Sequence, residues 1–323
     1  MGIARIAGLA MVAGLVSLPV SAQTSWDMPT PYPDAEFHTQ NIRTFAADIE
    51  KATNGSLKIN VHSAQSLFKH PEIKRAVQTG QVPIAEMLMA NLLNEDAVFG
   101  ADAVPFLATS YADAKKLWDA QKPLVEKKLT AQGMQLLYVV PWPGQGFFTN
   151  KPITSVADLK GVKFRTYNAA TATMAKLMDA VPTIVEAVEI PQAFSTGIVD
   201  AMVTSGATGV RTKAWDFTKY FYDINAWLPK NMIFVNQRSF RQLTDPQRAA
   251  VTAAAAAAEK RGWEMSMEAA KASSGDLAKG GMTVSEPAPQ LVKDLKAIGA
   301  QMTTEWEKSA GADGTAILTA YRK

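Results

Sequence analysis

The stretch SVADLKGVKFRTYN at residues 155–168 decides the fold of this chain. Ser155 and Asp158 form a capping pair for a short helix, and Gly161 stands where a helix ends in a left-handed residue. The alternating residues that follow predict a short strand with Arg165 at its carboxyl end. A helix that leads at once into a strand is typical of an α/β protein.

A second segment of the same kind, EIPQAFSTGIVDA at residues 189–201, predicts another helix that closes into another strand. The carboxyl ends of strands in an α/β sheet are where such folds bind anions, and a guanidinium is a planar, permanently charged group. Arg165 is therefore a candidate anion-binding residue. The local pattern is explained equally well by an arginine paired with a carboxylate on the protein surface.

Predicted strands and helices alternate along most of the chain, which favours the α/β class. Residues 82–89 are mostly apolar, as expected for a strand of a parallel sheet that is buried on both faces. Residues 141–146 hold two prolines and two glycines and predict a crossover between domains. Residues 231–237 predict a strand that returns to the first domain. Thr244 then caps a long alanine-rich helix, and two final helices follow Pro287.

A mature chain of about 300 residues is large enough to divide into two lobes. The crossover and the return strand place residues 23–142 and 230–268 in lobe I. Lobe II is then predicted to hold residues 143–229 and 269–323.

The first 22 residues predict a secretory signal that is removed from the mature protein. Arg5 precedes the apolar run of residues 6–20, and Val20, Ser21 and Ala22 supply small residues for cleavage after Ala22. The run is short for a membrane span, which needs about 20 apolar residues. The chain has no cysteine, so a lipid anchor on that residue is excluded. The sequence therefore predicts a protein that is exported from the cytoplasm.

Composition excludes several classes of protein. Removing Arg5 from the formal net charge of +3 leaves +2, and no basic run predicts a nucleic-acid partner. The absence of cysteine excludes disulfides, thiol chemistry and cysteine-ligated metals. The three histidines form no metal-binding motif, and no nucleophile elbow or dinucleotide fingerprint is present. The sequence predicts neither a cofactor nor a metal site, and it disfavours an enzyme.

The segment around Arg165, D-L-K-G-x-K-x-R-T followed by G-x-V-D, resembles the substrate-binding proteins of tripartite ATP-independent periplasmic (TRAP) transporters, the DctP-like family. The resemblance covers almost all of the chain after residue 25, with family-like segments in the same order and spacing. These further segments are residues 45–67 (FAADIEKATNGSLKINVHSAQSL), 73–86, 103–119 and 148–161.

The resemblance implies a two-lobe periplasmic-binding-protein fold, with a ligand cleft between the lobes and a long helix from the C-terminal half that spans them. It also implies that Arg165 forms a two-pronged ion pair with a ligand carboxylate. The protein would be a monomer that captures a small organic acid and delivers it to a TRAP membrane permease without an ATPase. A periplasmic enzyme or a sensor-associated receptor on the same scaffold remains the alternative.

Two departures from the family pattern bear on the ligand. Many relatives carry a second arginine where this chain has Gln145 and Gly146, and many carry an asparagine where it has Thr204 and Ser205. One arginine, one glutamine and short hydroxyls favour a monocarboxylate, aromatic or hydroxylated, over dicarboxylates and sialic acids.

Five further residues are candidates by their position. Trp142, Phe147 and Trp215 lie near predicted crossovers or strand ends and would form an apolar wall, although each is also suited to a core. Glu86 ends a strand of the first lobe and would accept a hydrogen bond from a ligand hydroxyl, or remain solvated. His38 opens the helix after the first loop, which borders the cleft or is simply exposed.

Overall fold

A computed structural model describes residues 23–323, so the predicted signal at residues 1–22 lies outside the described residues. Strands and helices alternate, which confirms the α/β class. The strands are β1 (Thr24–Pro29), β2 (Leu57–His62), β3 (Ile84–Leu88), β4 (Met134–Pro141), β5 (Gln145–Thr149), β6 (Lys163–Thr166), β7 (Val181–Ile184), β8 (Ala201–Ser205), β9 (Tyr220–Tyr222), β10 (Lys230–Asn236) and β11 (Thr283–Ser285).

Helices pack against these strands and connect them. Short 3₁₀ turns, including one at Val156–Leu159, supplement them. The α-helices are α1 (Phe37–Ala52), α2 (Ile73–Gln78), α3 (Tyr111–Ala131), α4 (Ala169–Leu177), α5 (Ile190–Ser195), α6 (Gly206–Arg211), α7 (Gln237–Gln242), α8 (Asp245–Lys279) and α9 (Pro289–Arg322).

The first group of strands is antiparallel at its centre. β10 lies between β3 and β4 and runs antiparallel to both, while β1 and β2 form a parallel pair beside β3. The predicted parallel pairing of residues 82–89 is therefore wrong. All five residues of β3 are buried, because elements cover both faces of the strand, and such burial gives an apolar run whatever the direction of the neighbouring strands.

The second group is a six-stranded mixed sheet in the order β11-β9-β5-β8-β6-β7. β8, β6 and β7 are parallel, whereas β5 runs antiparallel to its neighbours β8 and β9. The chain leaves the first group between β4 and β5, within the proline- and glycine-rich residues 141–146, and returns with β10. The lobe boundaries given above remain a prediction.

The long helix α8 bridges the two groups of strands. It starts with a capping box in which the Thr244 hydroxyl accepts from the Gln247 amide at 3.4 Å, and the Gln247 side chain accepts from the Thr244 amide at 3.0 Å. Its 35 residues make it about 50 Å long. It packs against α1 and β4 on one side and against α6 and β11 on the other.

Two helical stretches follow Pro287, as predicted, and both are included in α9. α9 begins at Pro289 and continues as far as Gly311, where φ is +57° and the helical backbone is interrupted. Glycine adopts this conformation without steric cost, so the chain changes direction there before its last helical turns. None of the helices in residues 23–323 combines the length and apolar character that crossing a membrane requires.

Two glycines of α8 provide a matched test of its packing. A Cβ at Gly262 would overlap the Val140 side chain and lie 2.7 Å from Asn41 Nδ2, whereas one at Gly275 would meet nothing within 4 Å. We expect Gly262→Ala to lower the free energy of unfolding by about 1–3 kcal/mol through overpacking. Gly275→Ala should raise it by about 0.5–1 kcal/mol through helix propensity. Chemical denaturation measures both, and equal effects of the two variants would contradict the packing of α8 against β4.

Candidate functional site

A cavity lies where the carboxyl ends of strands from the two groups meet, and we call it the Arg165 cavity. Its volume is about 440 Å³ when the open space at its mouth is counted. Its lining combines aromatic and apolar residues with an equal number of polar or charged residues. The lining residues are Tyr32, His70, Leu88, Trp142, Gln145, Arg165, Tyr167, Glu186, Ala187, Thr204, Thr208 and Pro229.

Backbone carbonyls hold the Arg165 side chain in place. Its Nε donates to the carbonyl oxygen of Val185 at 3.0 Å, and its Nη1 donates to that of Val203 at 3.2 Å. The Tyr167 ring lies 5.1 Å from the guanidinium carbon. Since β6 lies between β7 and β8, these contacts come from the ends of both neighbouring strands.

Arg165 is a buried cation that makes no direct ion pair within residues 23–323, although the nearby carboxylate of Glu186 interacts with its charge. The residue is 2% exposed. Burial lowers the pKa of its guanidinium to about 10, so it stays charged at neutral pH. The alternative of a surface ion pair at Arg165 is therefore wrong.

A chain of hydrogen bonds fixes the predicted residue Gln145. The Tyr167 hydroxyl donates to Gln145 Oε1 at 3.1 Å, and Trp227 Nε1 donates to the Tyr167 hydroxyl at 3.2 Å. Gln145 Nε2 donates to the Pro143 carbonyl at 2.9 Å. Gln145 therefore lines the cavity in a fixed orientation. Thr204, on the adjacent strand β8, lines it as well.

Asn231 orients the aromatic wall that contains Trp142. Its Oδ1 accepts from Trp142 Nε1 at 2.9 Å and from the Tyr32 hydroxyl at 3.1 Å. The Tyr32 and Trp142 rings meet edge to face with centroids 5.0 Å apart. One buried amide thus sets the positions of two rings that line the Arg165 cavity.

Glu86 and His38 lie behind this wall instead of facing the cavity, which corrects their predicted placement. The His38 ring centroid lies 4.2 Å from that of Trp142, and His38 Nδ1 lies 3.5 Å from Glu86 Oε1. Glu86 accepts hydrogen bonds from Thr30 at 2.5 Å and from Asn231 at 2.9 Å. Both residues are buried in the core of the first group of strands, where they lie behind the Tyr32 and Trp142 rings.

Three other predicted residues also lie outside the lining. Phe147 is fully buried and packs edge to face on Phe164 at 5.3 Å. Ser205 points to the opposite face of β8 from Thr204 and caps α6 by accepting from the Thr208 amide at 3.2 Å. Trp215 packs against the end of α8, where a Cβ on Gly280 would overlap its ring.

Sequence reasoning missed His70 and Glu186, which meet across the two groups of strands. His70 Nδ1 lies 3.1 Å from Glu186 Oε2, and the Leu88 amide donates to His70 Nε2 at 3.2 Å. The Leu88 contact makes Nε2 an acceptor, so the proton of the neutral ring sits on Nδ1 and is donated to Glu186. No local sequence pattern predicts a contact between residues that are 116 positions apart.

Tyr32 and Tyr167, also missed, carry a recognisable signal. Each follows the carboxyl end of a strand, β1 or β6, where ligands of α/β folds bind.

A second polar contact joins the two strand groups at Arg211, whose Nε donates to Glu36 Oε2 at 2.7 Å. Burial raises the pKa of Glu36 in spite of this arginine.

The pKa of Glu86 predicts a pH dependence of stability. Burial raises it to about 7, although Thr30 and Asn231 donate to the carboxylate. Between about pH 4.5 and 7 the folded protein therefore binds more protons than the unfolded chain, and this group makes stability fall as pH rises. We expect the free energy of unfolding of the wild-type, relative to Glu86→Gln, to fall by about 3 kcal/mol between pH 4 and 8.

Denaturation curves of both proteins across this range measure the difference. Burial lowers the pKa of His38 in both proteins, so that contribution cancels in the comparison. Parallel pH profiles of the two proteins would show that Glu86 does not titrate with a raised pKa.

Comparison with known proteins gives consistent matches over nearly the whole chain. The family model of bacterial extracellular solute-binding protein family 7, DctP, matches residues 31–310. The crystal structure of DctP7, a Bordetella pertussis extracytoplasmic solute receptor binding pyroglutamic acid, is 50% identical, with a TM-score of 0.92. It covers 93% of this chain and 100% of its own.

Two further structures are similar to this chain. DctP6, a Bordetella pertussis extracytoplasmic solute receptor binding pyroglutamic acid, is 46% identical with a TM-score of 0.91 and coverages of 93% and 99%. A marine metagenome TRAP solute-binding protein specific for pyroglutamate is 44% identical with the same TM-score and coverages. These matches confirm the family resemblance and the two-lobe fold: the chain belongs to bacterial extracellular solute-binding protein family 7, the DctP family.

Proposed function

We propose that this protein is an extracytoplasmic receptor that binds pyroglutamate and delivers it to a TRAP membrane permease. The observation that carries the proposal is the charged guanidinium of Arg165, buried in a small cavity without a carboxylate partner from residues 23–323. Guanidinium and carboxylate match as a two-pronged pair, and a ligand would supply the missing negative charge. Three similar receptors, 44–50% identical, bind this acid.

The rest of the lining suits a small, compact monocarboxylate. Arg165 supplies the charge for one carboxylate, while the side chains of Gln145 and Thr204 are neutral. The Tyr32 and Trp142 rings provide flat apolar surface for a five-membered ring. The proposed binding set among the predicted residues is therefore Arg165, Gln145, Trp142 and Thr204.

The biological setting follows from the family and from the predicted signal sequence. We propose that the protein is exported to the periplasm after cleavage near Ala22, acts there as a monomer and returns its ligand unchanged. A lobe arrangement with residues 23–142 and 230–268 on one side of the cavity, and the remainder on the other, would let the two polar contacts at Glu36 and Glu186 form when the lobes close.

A thermal-shift screen of small acids tests this function. L-pyroglutamate should raise the melting temperature more than succinate, malate, sialic acid or proline, since a ligand that binds the folded state stabilises it by mass action. Mass spectrometry of the ligand after incubation should recover it intact. Conversion to a product would establish an enzyme instead, and a larger shift with a dicarboxylate would overturn the assignment to a monocarboxylate.

A further inference from the structure

We propose that Glu186 sets the ligand selectivity of the Arg165 cavity, by accepting a hydrogen bond from an N–H group of the ligand and by excluding a second ligand carboxylate. This inference rests on the proposed function. It assigns a role to a residue that lines the cavity but that the sequence pattern did not single out.

The backbone places Glu186 beside Arg165. The strand β7 pairs with β6 so that Thr183 lies opposite Arg165. The next turn of chain brings the Val185 carbonyl to Arg165 Nε at 3.0 Å, and Glu186 follows directly. Arg165 and Glu186 both line the cavity, and they do not form an ion pair with each other. The cavity wall therefore carries a positive group and a separate negative group.

His70 keeps Glu186 deprotonated and leaves one of its oxygens for a ligand. The His70 ring donates from Nδ1 to Glu186 Oε2 at 3.1 Å, because the Leu88 amide occupies its Nε2. Burial acts to raise the pKa of Glu186, but the hydrogen bond from His70 and the charge of Arg165 outweigh it, and the pKa is lowered. Glu186 Oε1 accepts no hydrogen bond from the described part of the chain, residues 23–323.

This pair of charges distinguishes three kinds of acid. A ligand with one carboxylate and an N–H donor, such as the lactam of pyroglutamate, satisfies both Arg165 and Glu186. The corresponding lactone, 5-oxotetrahydrofuran-2-carboxylate, has the same ring but an ether oxygen in place of the N–H. It would leave Glu186 Oε1 without a hydrogen-bond donor and place an acceptor against it, which weakens binding. Glutarate would bring a second negative charge against Glu186.

Calorimetric titration with these three acids tests the inference. We expect the wild-type to bind L-pyroglutamate about 10- to 150-fold more tightly than the lactone, the range for a hydrogen bond to a charged group. Glu186→Gln should reduce that ratio to about threefold or less, since the amide can donate to the ring oxygen. The same variant should bind glutarate more tightly than the wild-type does, because the like charge is gone.

Glu36→Gln is the matched control. Glu36 makes another polar contact between the strand groups, with Arg211, but does not line the cavity. The Glu36→Gln substitution should therefore weaken the binding of lactam and lactone equally, and the ratio of the two affinities should stay unchanged.

The outcomes separate this inference from the proposed function. A wild-type that binds pyroglutamate without preferring it to the lactone, or a Glu186→Gln variant that keeps the wild-type ratio, would overturn the role of Glu186 alone. The first of these results needs no variant, so it holds even if Glu186→Gln fails to fold. A wild-type that binds no pyroglutamate would overturn the proposed function, and the role of Glu186 with it.

Discussion

Arg165→Ala should weaken pyroglutamate binding at least about 30-fold and up to several-thousand-fold. The guanidinium is buried and has no carboxylate partner within residues 23–323, so the ligand carboxylate would lose its counter-charge in a cavity that excludes water. Truncating one partner of such a pair typically costs about 2–5 kcal/mol, which gives this range of affinities. Calorimetry on the purified variant measures the loss.

Arg165→Lys should recover part of the affinity, because an ammonium restores the charge but not the planar fork. The melting temperature of the ligand-free alanine variant should stay nearly unchanged. The hydrogen bonds lost to the Val185 and Val203 carbonyls are offset by removal of a desolvated cation. Arg43→Ala is the control, since Arg43 forms an exposed ion pair with Asp34. Near wild-type affinity in Arg165→Ala would make Arg165 a structural residue.

Asn231→Ala should lower the free energy of unfolding by about 3–5 kcal/mol. The substitution removes the acceptor of Trp142 and Tyr32 and the donor to Glu86, and each buried group left unpaired costs about 1–3 kcal/mol. Because Trp142 and Tyr32 line the cavity, the same variant should also weaken ligand binding. Chemical denaturation, followed by titration of the folded fraction, measures both effects.

Asn60→Ala is the matched control for this substitution. Asn60 uses its amide to contact Ser25 and Asp27 on the surface, and its loss should change stability by less than about 0.5 kcal/mol. Equal stability losses in the two asparagine variants would contradict the network around Asn231.

Local sequence signals were sufficient for the elements around Arg165. Three of these signals depend on only a few neighbouring residues, and all three are present in the structure. They are the capping box of Ser155 and Asp158, the alternating strand pattern through Phe164, and the helix cap at Thr244. The apolar run at residues 82–89 correctly predicted burial. It could not predict whether the strand pairs parallel or antiparallel, because its partner β10 lies about 140 residues later in the sequence.

The candidate site was predictable only where a strand end carried a distinctive residue. Arg165, Gln145, Trp142 and Thr204 line the cavity, but position along the chain could not distinguish the lining from the layer behind it, where Glu86 and His38 lie. That distinction depends on how Trp142, held by Asn231, shields them. The contact between His70 and Glu186 depends on how the two strand groups are placed relative to each other, which no short sequence pattern encodes.

The most direct test of the central claim is a calorimetric titration of the mature, ligand-free wild-type protein with L-pyroglutamate, beside glutarate and succinate. The account predicts saturable binding of one pyroglutamate per chain, at least about tenfold tighter than either dicarboxylate, a difference of about 1.4 kcal/mol. No binding of pyroglutamate, or tighter binding of a dicarboxylate, would contradict it.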